Sequence, residues 1–526
     1  MKPSIAAAPM NERPPSMKSA RRMPGGTPIA NGWRKLPMPR LSAPPRVLRQ
    51  GALLSVAALL AAVPAAARDA DLEARIAAVF AEAASGGRFG VLVVDDQGRE
   101  LVAINPDQRF IPASNTKMFT TATAFATLPD ITRPDEDGGA AVRLEGRDVV
   151  LIGNGDARLS SADGCTVDCL ATLADAVAAT TRAVHDVIGD DTRFPDQRWS
   201  PGMAWNNIPT RSGTGISALT LDDNEVVVTV TPGAAGAAPR IDPTPYYRIE
   251  NRLLTVPGKV NDVGFDRMPN GDVLRLTGTI GADAAPVRLR VGIDDPAHYA
   301  AWRFADMLRA RGVKVTGRIE VRHRPLSPGD DPAARGGAPV ARPPARPVLA
   351  RLAPPPLYDD MMLTNKVSQN LHAELFLRRV ASVTGSGSIA DGQAAVRGVM
   401  AQAGAPRATF DFSDGSGMST YNRVAPRGAV ALLRWIATQP WGAQWRDTLP
   451  VGGVDGTLAR RFHGTPLDRK LFAKTGTLNA TSALSGYLIA HSGRTLTFSL
   501  FANDFPEGAP ATRAMDAALE LVAAEN

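Results

Sequence analysis

The 526-residue sequence predicts an α/β domain split along the chain by a large β-rich insert. Three observations carry this reading. Helix-like and strand-like periodicities alternate near both ends of the chain. The long middle section is a series of short apolar runs punctuated by Gly, Pro and Asp. A proline-rich tract then separates that middle from a second helical region. The outer parts make one domain only if the stretch around residue 114 meets the C-terminal strands in space.

Residues 1–67 read as a leader. They hold ten Lys and Arg against a single acid, Glu12, so the whole-chain net charge of +7 becomes −2 over residues 68–526. The basicity therefore gives no case for nucleic-acid binding by the mature protein. Arg46 and Arg49 precede the apolar stretch GALLSVAALLAAV, and PAAA offers small side chains before Arg68, the layout of a secretory signal. A start at Met38 would give a signal of ordinary length. The apolar run is short for a membrane span, so an exported, periplasmic protein with no stable transmembrane anchor is expected.

From residue 68 to 140, DADLEARIAAVFAEAA places Leu72, Ile76, Val79 and Phe80 on one helical face, and RFGVLVVDDQGRELVAIN reads as two strands joined at Asp-Gln-Gly. KMFTTATAFATL follows as a largely buried helix. Residues 141–322 read as one or more small β-rich modules, with DVVLIGNG, NEVVVTVTPG, YRIENRLLTV, VLRLTGTI and PVRLRVGI as strands and AHYAAWRFADMLRARG as an interrupting helix. Residues 323–356, with ten prolines, are expected to be extended and mobile. Residues 357–526 return to helices (NLHAELFLRRVA, GAVALLRWIA), two strands across a Ser-Gly turn, and a last helix from about Ala511.

Only two cysteines occur, Cys165 and Cys169. Export favours a disulfide, but one regular helix would hold the pair badly unless Gly164 bends the chain; two reduced, buried thiols are the alternative. Six scattered histidines without an H-E-x-x-H pattern predict no zinc site, and no cofactor is expected.

Three short motifs carry chemistry. Ser114 and Lys117 form S-x-x-K where loop gives way to helix; Ser368-Gln369-Asn370 forms S-x-N before a helix; and Lys474-Thr475-Gly476 forms K-T-G in a strand pair. Alone, S-x-x-K is most simply a helix cap and a solvated lysine. All three in this order are the signature of penicillin-binding proteins and serine β-lactamases. A serine hydroxyl is a poor nucleophile until a neighbouring base takes its proton, and residues i and i+3 on a helix share a face. A lysine serves as that base once burial or a second cation, here Lys474, lowers its pKa. Ser368 is placed to relay a proton and Asn370 to orient Lys117 and a substrate carbonyl. Lys474, Thr475 and Thr477 are expected at a strand edge to bind a substrate carboxylate, with the Ser114 and Thr477 N–H groups as oxyanion donors. No Gly-x-Ser-x-Gly elbow supports a Ser-His-Asp alternative.

Residues 70–526 resemble the class C low-molecular-mass penicillin-binding proteins, the D-alanyl-D-alanine carboxypeptidase/endopeptidase family. The resemblance rests on those motifs together with LIGNGDARLSS, VIGDDTRFPDQRWSPGMAWNNIP, ISALTLDDNEVVVTVTPG, DFSDGSGMSTYNRVAP, LPVGGVDGTLARRF and AKTGTLNATSALSGYL. It implies a transpeptidase-like domain, an antiparallel sheet with helices on both faces, interrupted by two nested insert domains between Ser114 and Ser368. It also implies a serine D-Ala-D-Ala carboxypeptidase, with D,D-endopeptidase activity on peptidoglycan cross-links and covalent trapping of β-lactams. The catalytic set would be Ser114, Lys117, Ser368, Asn370 and Lys474, and the substrate-binding set Thr475, Gly476, Thr477, Asn207 and Thr420. Asp-Ala-Arg at 156–158 departs from the family's Asp-Pro-Thr, Thr420 stands where Arg is often found, and Asn207 where an acid is frequent; the last two bear on side-chain specificity. The rival functions are a serine β-lactamase and a non-catalytic peptidoglycan-binding protein.

Overall fold

The structure is a computed structural model that describes residues 65–526 apart from 84, 85, 243, 244, 342, 343, 345 and 510. The leader reading therefore lies outside the described residues. Antiparallel pairing builds a five-stranded sheet in the order Leu471–Leu478, Thr481–Ile489, Thr495–Asn503, Arg88–Val94, Glu100–Ile104. Its central seam joins the two ends of the chain, with Arg88 opposite Asn503 and Val94 opposite Thr497.

Period-two patterning explains why helices cover both faces. Phe89, Val91 and Val93, with Leu496, Phe498 and Leu500, face a core closed by Leu72, Ile76 and Phe80 of helix Ala65–Ala83 and by Met515, Leu519 and Val522 of helix Ala511–Glu525. The alternate residues Leu92 and Val94 pack on Val430 of helix Pro426–Ala437. Ala483, Tyr487 and Phe501 pack in a core with Met118 and Phe119 of helix Thr116–Thr127 and Phe376 of helix Asn370–Thr384.

The insert is more mixed than its strand-rich sequence implies. An outer sheet runs Ile319–Arg324, Val187–Pro195, Asp148–Ile152, Ala141–Glu145, Ala350–Arg351, and its first three strands are parallel. Helices Leu170–Thr180 and Pro296–Ala310 contribute to the same core as this sheet. Between the outer strands, two small sheets are built from Glu225–Thr231, Arg240–Asp242 and Val287–Gly292, and from Arg248–Asn251, Leu254–Val256, Asn261–Asp266 and Val273–Gly281.

The proline-rich tract is not the free linker expected. Asp330 is buried and accepts from Arg324, Arg335 pairs with Asp391, the Val340 N–H donates to the Thr384 carbonyl, and Ala350–Arg351 pairs with the outer sheet. Arginine side chains supply the bonds that the prolines cannot donate. Cys165 and Cys169 form a disulfide; Gly164 and Asp168 both adopt positive φ, which breaks the helical path between them, and Cys169 immediately precedes helix Leu170–Thr180. Among the described residues, no helix is long and apolar enough to cross a membrane.

Candidate active site

Residues 113–115 make one tight turn that runs into helix Thr116–Thr127. Ser114 does not cap this helix: neither this turn nor the helix has a side-chain cap bond. Instead Lys117 Nζ lies 2.9 Å from Ser114 Oγ. The same nitrogen donates to Asn370 Oδ1 and to the Ser416 carbonyl, each at 2.6 Å. Three oxygens thus saturate one amine in a site where Lys117 has no exposed surface.

The S-x-N motif sits where the sequence places it. Ser368 holds a left-handed φ of 64°, which ends helix Leu357–Lys366 and turns the chain so that Asn370 begins the next helix. Asn370 faces Lys117 with its carbonyl oxygen and donates from Nδ2 to the Ser212 carbonyl of the insert at 3.0 Å. The K-T-G motif lies on the outermost strand of the sheet. Lys474 Nζ donates to Ser368 Oγ at 2.9 Å and to the Thr475 carbonyl at 3.0 Å, and Lys474 is as fully buried as Lys117. Thr475 shares a hydroxyl bond with Thr457, while Thr477 is exposed on the strand.

Close backbone approach holds these pieces together. A β-carbon on Gly476 would stand 2.6 Å from the Pro112 carbonyl oxygen, so only glycine lets the strand touch the serine turn. A β-carbon on Gly417, whose φ is +90°, would stand 1.9 Å from the Ala113 carbonyl oxygen. The buried Asn115 amide bridges the same gap, donating to the Lys474 carbonyl at 2.8 Å.

Burial pushes Lys117 down to about 7, against the pull of the Asp414 and Glu374 carboxylates, which favour its cation. Lys474 is pushed well below the ordinary lysine value by burial and then by the Lys117 charge. Of the two levers expected on Lys117, burial and the Lys474 cation, burial is the main one.

Several contributors escaped sequence reasoning. Glu374 accepts from the Gly415 and Ser416 N–H groups at 2.9 Å, and Asp414 accepts from the N–H groups of Gly417 and Ser419. These carboxylates fix the loop whose Ser416 carbonyl faces Lys117. Buried acids without a nearby motif partner give no pattern; the loop itself was marked only by the family resemblance of DFSDGSGMSTYNRVAP.

The two specificity candidates are less central. The Thr420 N–H and hydroxyl both donate to the Gly202 carbonyl, tying the loop to the insert. Asn207 ends a short turn, Trp205–Asn207, five residues before Ser212, and its carbonyl accepts from the Thr210 hydroxyl. Among the described residues, Asp148, His185 and Asp186 on the insert bring three potential metal-ligand atoms within 4.8 Å of one another. The two carboxylates already accept backbone N–H groups from Asp186 and Arg318.

A sheet with helices on both faces, and a serine–lysine pair beside a K-T-G strand, define the transpeptidase-like fold of the penicillin-binding proteins. The chain belongs to the D-Ala-D-Ala carboxypeptidase 3 (S13) family, whose model matches residues 72–526. It is a low-molecular-mass penicillin-binding protein and a hydrolase of the D-Ala-D-Ala carboxypeptidase type. It is 33% identical over 484 residues to the D-alanyl-D-alanine carboxypeptidase of Actinomadura sp. (strain R39), covering 86% of this chain and 85% of that one. A penicillin-sensitive carboxypeptidase A of Dictyostelium discoideum is 23% identical over 443 residues, 77% of this chain and 80% of the relative. The crystal structure of penicillin binding protein 4 (dacB) from Haemophilus influenzae superposes with a TM-score of 0.70 at 21% identity, covering 85% of this chain and 97% of that one.

Proposed function

We propose that the protein is an exported serine D-Ala-D-Ala carboxypeptidase that also cleaves D,D cross-links of peptidoglycan, working through an acyl-enzyme on Ser114. The observation that carries this is the environment of Lys117 Nζ. A neutral amine keeps two N–H groups for Asn370 Oδ1 and the Ser416 carbonyl, which leaves its lone pair facing the Ser114 hydroxyl.

Ser114 Oγ attacks the carbonyl carbon of the penultimate D-Ala while its proton passes to Lys117. The oxyanion forms against the Ser114 and Thr477 N–H groups. The C–N bond then breaks, and the leaving amine takes a proton returned from Lys117 through Ser368, which Lys474 polarises across 2.9 Å. Water attacks the ester, frees the acid and restores the serine. Thr475 and Thr477 receive the terminal carboxylate, and Asn207 and Thr420 are assigned to the recognition of the substrate side chain. A β-lactam enters the same path, but its leaving amine stays tethered, so the acyl-enzyme persists. The name of the Dictyostelium relative, penicillin-sensitive, agrees with this reading.

Fluorescent penicillin tests it. Stable labelling of the protein, lost in Ser114→Ala, is the expected result. Rapid release of the label would indicate a β-lactamase, and absence of labelling a non-catalytic binding protein. Mass spectrometry of digested peptidoglycan then separates loss of terminal D-Ala from splitting of cross-linked dimers.

A further inference from the structure

Two hydrogen bonds join the insert to the S-x-N segment and the turn that follows it. The first is the Ser212 carbonyl on Asn370. The second is two residues further on, where His372 is 2% exposed and Nε2 lies 3.1 Å from Asp223 Oδ1 of the insert. On the other side of the ring, Nδ1 is 3.6 Å from Asp360 Oδ1 of helix Leu357–Lys366, an ion-pair distance with no hydrogen bond. Asp360 is buried and is also met by Arg158 at 3.3 Å.

The insert is shaped to make this contact. Asp222, Asp223 and Asn224 are three consecutive non-glycine residues at positive φ, 51°, 57° and 52°. Such a run is costly for L-residues and persists only where the surroundings fix it. It sends three neighbouring side chains in three directions. Asp222 holds the Ser161 N–H and hydroxyl, Asp223 holds His372, and Asn224 bonds the Leu221 N–H and the Gly215 carbonyl.

We propose that His372 is a positioning residue: as an imidazolium clamped between Asp223 and Asp360, it locks the first turn of helix Asn370–Thr384 so that Asn370 reaches Lys117, making the insert a structural part of the acylation machinery. This rests on the Ser114 acyl-enzyme reading above. Burial of His372 favours the neutral ring, but the Asp223 hydrogen bond and the Asp360 charge outweigh it and raise the group to about 9. The other charges around the clamp are Arg158, Asp156 and Asp168 beside Asp360, and Arg290 and Arg211 acting on Asp223. The cation is therefore present at neutral pH and lost as pH rises through about 9.

The test uses acylation of the full protein by a chromogenic β-lactam and turnover of a D-Ala-D-Ala peptide. His372→Asn is expected to lower the acylation rate constant and kcat on the order of 10-fold at pH 7.5, with KM changed less than 2-fold. The ratio of parent to variant should shrink toward unity above pH 9, where the parent loses its own clamp. Asp223→Asn, on the half-exposed partner, should reproduce both effects and remains informative where His372→Asn fails to fold. Equal pH-independent ratios, or lowered melting temperature with unchanged kcat in the folded protein, would overturn the proposal. A parent that never acylates would instead overturn the reading on which it rests.

Discussion

Lys117 Nζ lies 2.6 Å from the Ser416 carbonyl, a contact between residues 299 apart in the chain. This bond orients the amine. With Asn370 on a second N–H direction, the third direction of Lys117 points to Ser114. The loop that supplies the carbonyl is itself held by Glu374 and Asp414.

Lys117 should govern the acid limb of the reaction. Its pKa is depressed to about 7, and the base must be neutral, so the acylation rate should rise with pH through about 7 and level off above it. Lys117→Ala should slow acylation by a factor of order 10² or more and remove this limb. Stopped-flow acylation between pH 5.5 and 8.5 measures both; a flat profile in the parent would count against Lys117 as base.

Gly417→Ala should damage stability and chemistry together. The new methyl would overlap the Ala113 carbonyl and the backbone would be held at a φ of +90°, for an expected loss of about 2 kcal/mol or more. Thermal unfolding and penicillin labelling should fall together, and a fully active, equally stable variant would show that the serine turn shifts at little cost.

Lys474 is buried, and its Nζ is committed to Ser368 and the Thr475 carbonyl. Lys474→Ala should reduce kcat/KM roughly 30-fold or more by leaving Ser368 unpolarised. A comparison of free-acid and amidated versions of one peptide separates its two roles. A loss confined to the free acid assigns Lys474 to the substrate carboxylate, and an equal loss on both assigns it to proton relay through Ser368 and to the field at Lys117.

Export makes a separate prediction. N-terminal sequencing of the purified cellular protein should begin near Arg68 and recover it from the periplasm or the medium. Retention of Met1 or Met38 in a membrane fraction would refute cleavage at PAAA.

Local sequence was enough to find Ser114, Lys117, Ser368, Asn370 and Lys474, because each sits in a short motif whose spacing reflects one turn of helix or one strand edge. It also determined the strands Arg88–Val94 and Thr495–Asn503, whose near-continuous apolar runs suit a strand buried on both faces. Other features depended on contacts between distant segments. The Glu374 support, the Asn115 bridge to Lys474 and the His372 clamp join residues far apart in sequence, and a buried polar side chain carries no mark of its partner. The depressed Lys117 pKa belongs to the same group: desolvation is a property of the packed site, not of the residue. The proline-rich tract shows this from the other side. Its composition argued for mobility, yet the Arg335–Asp391 ion pair, the Val340 N–H bond to the Thr384 carbonyl and the pairing of Ala350–Arg351 with Ala141–Glu145 tie it to the fold.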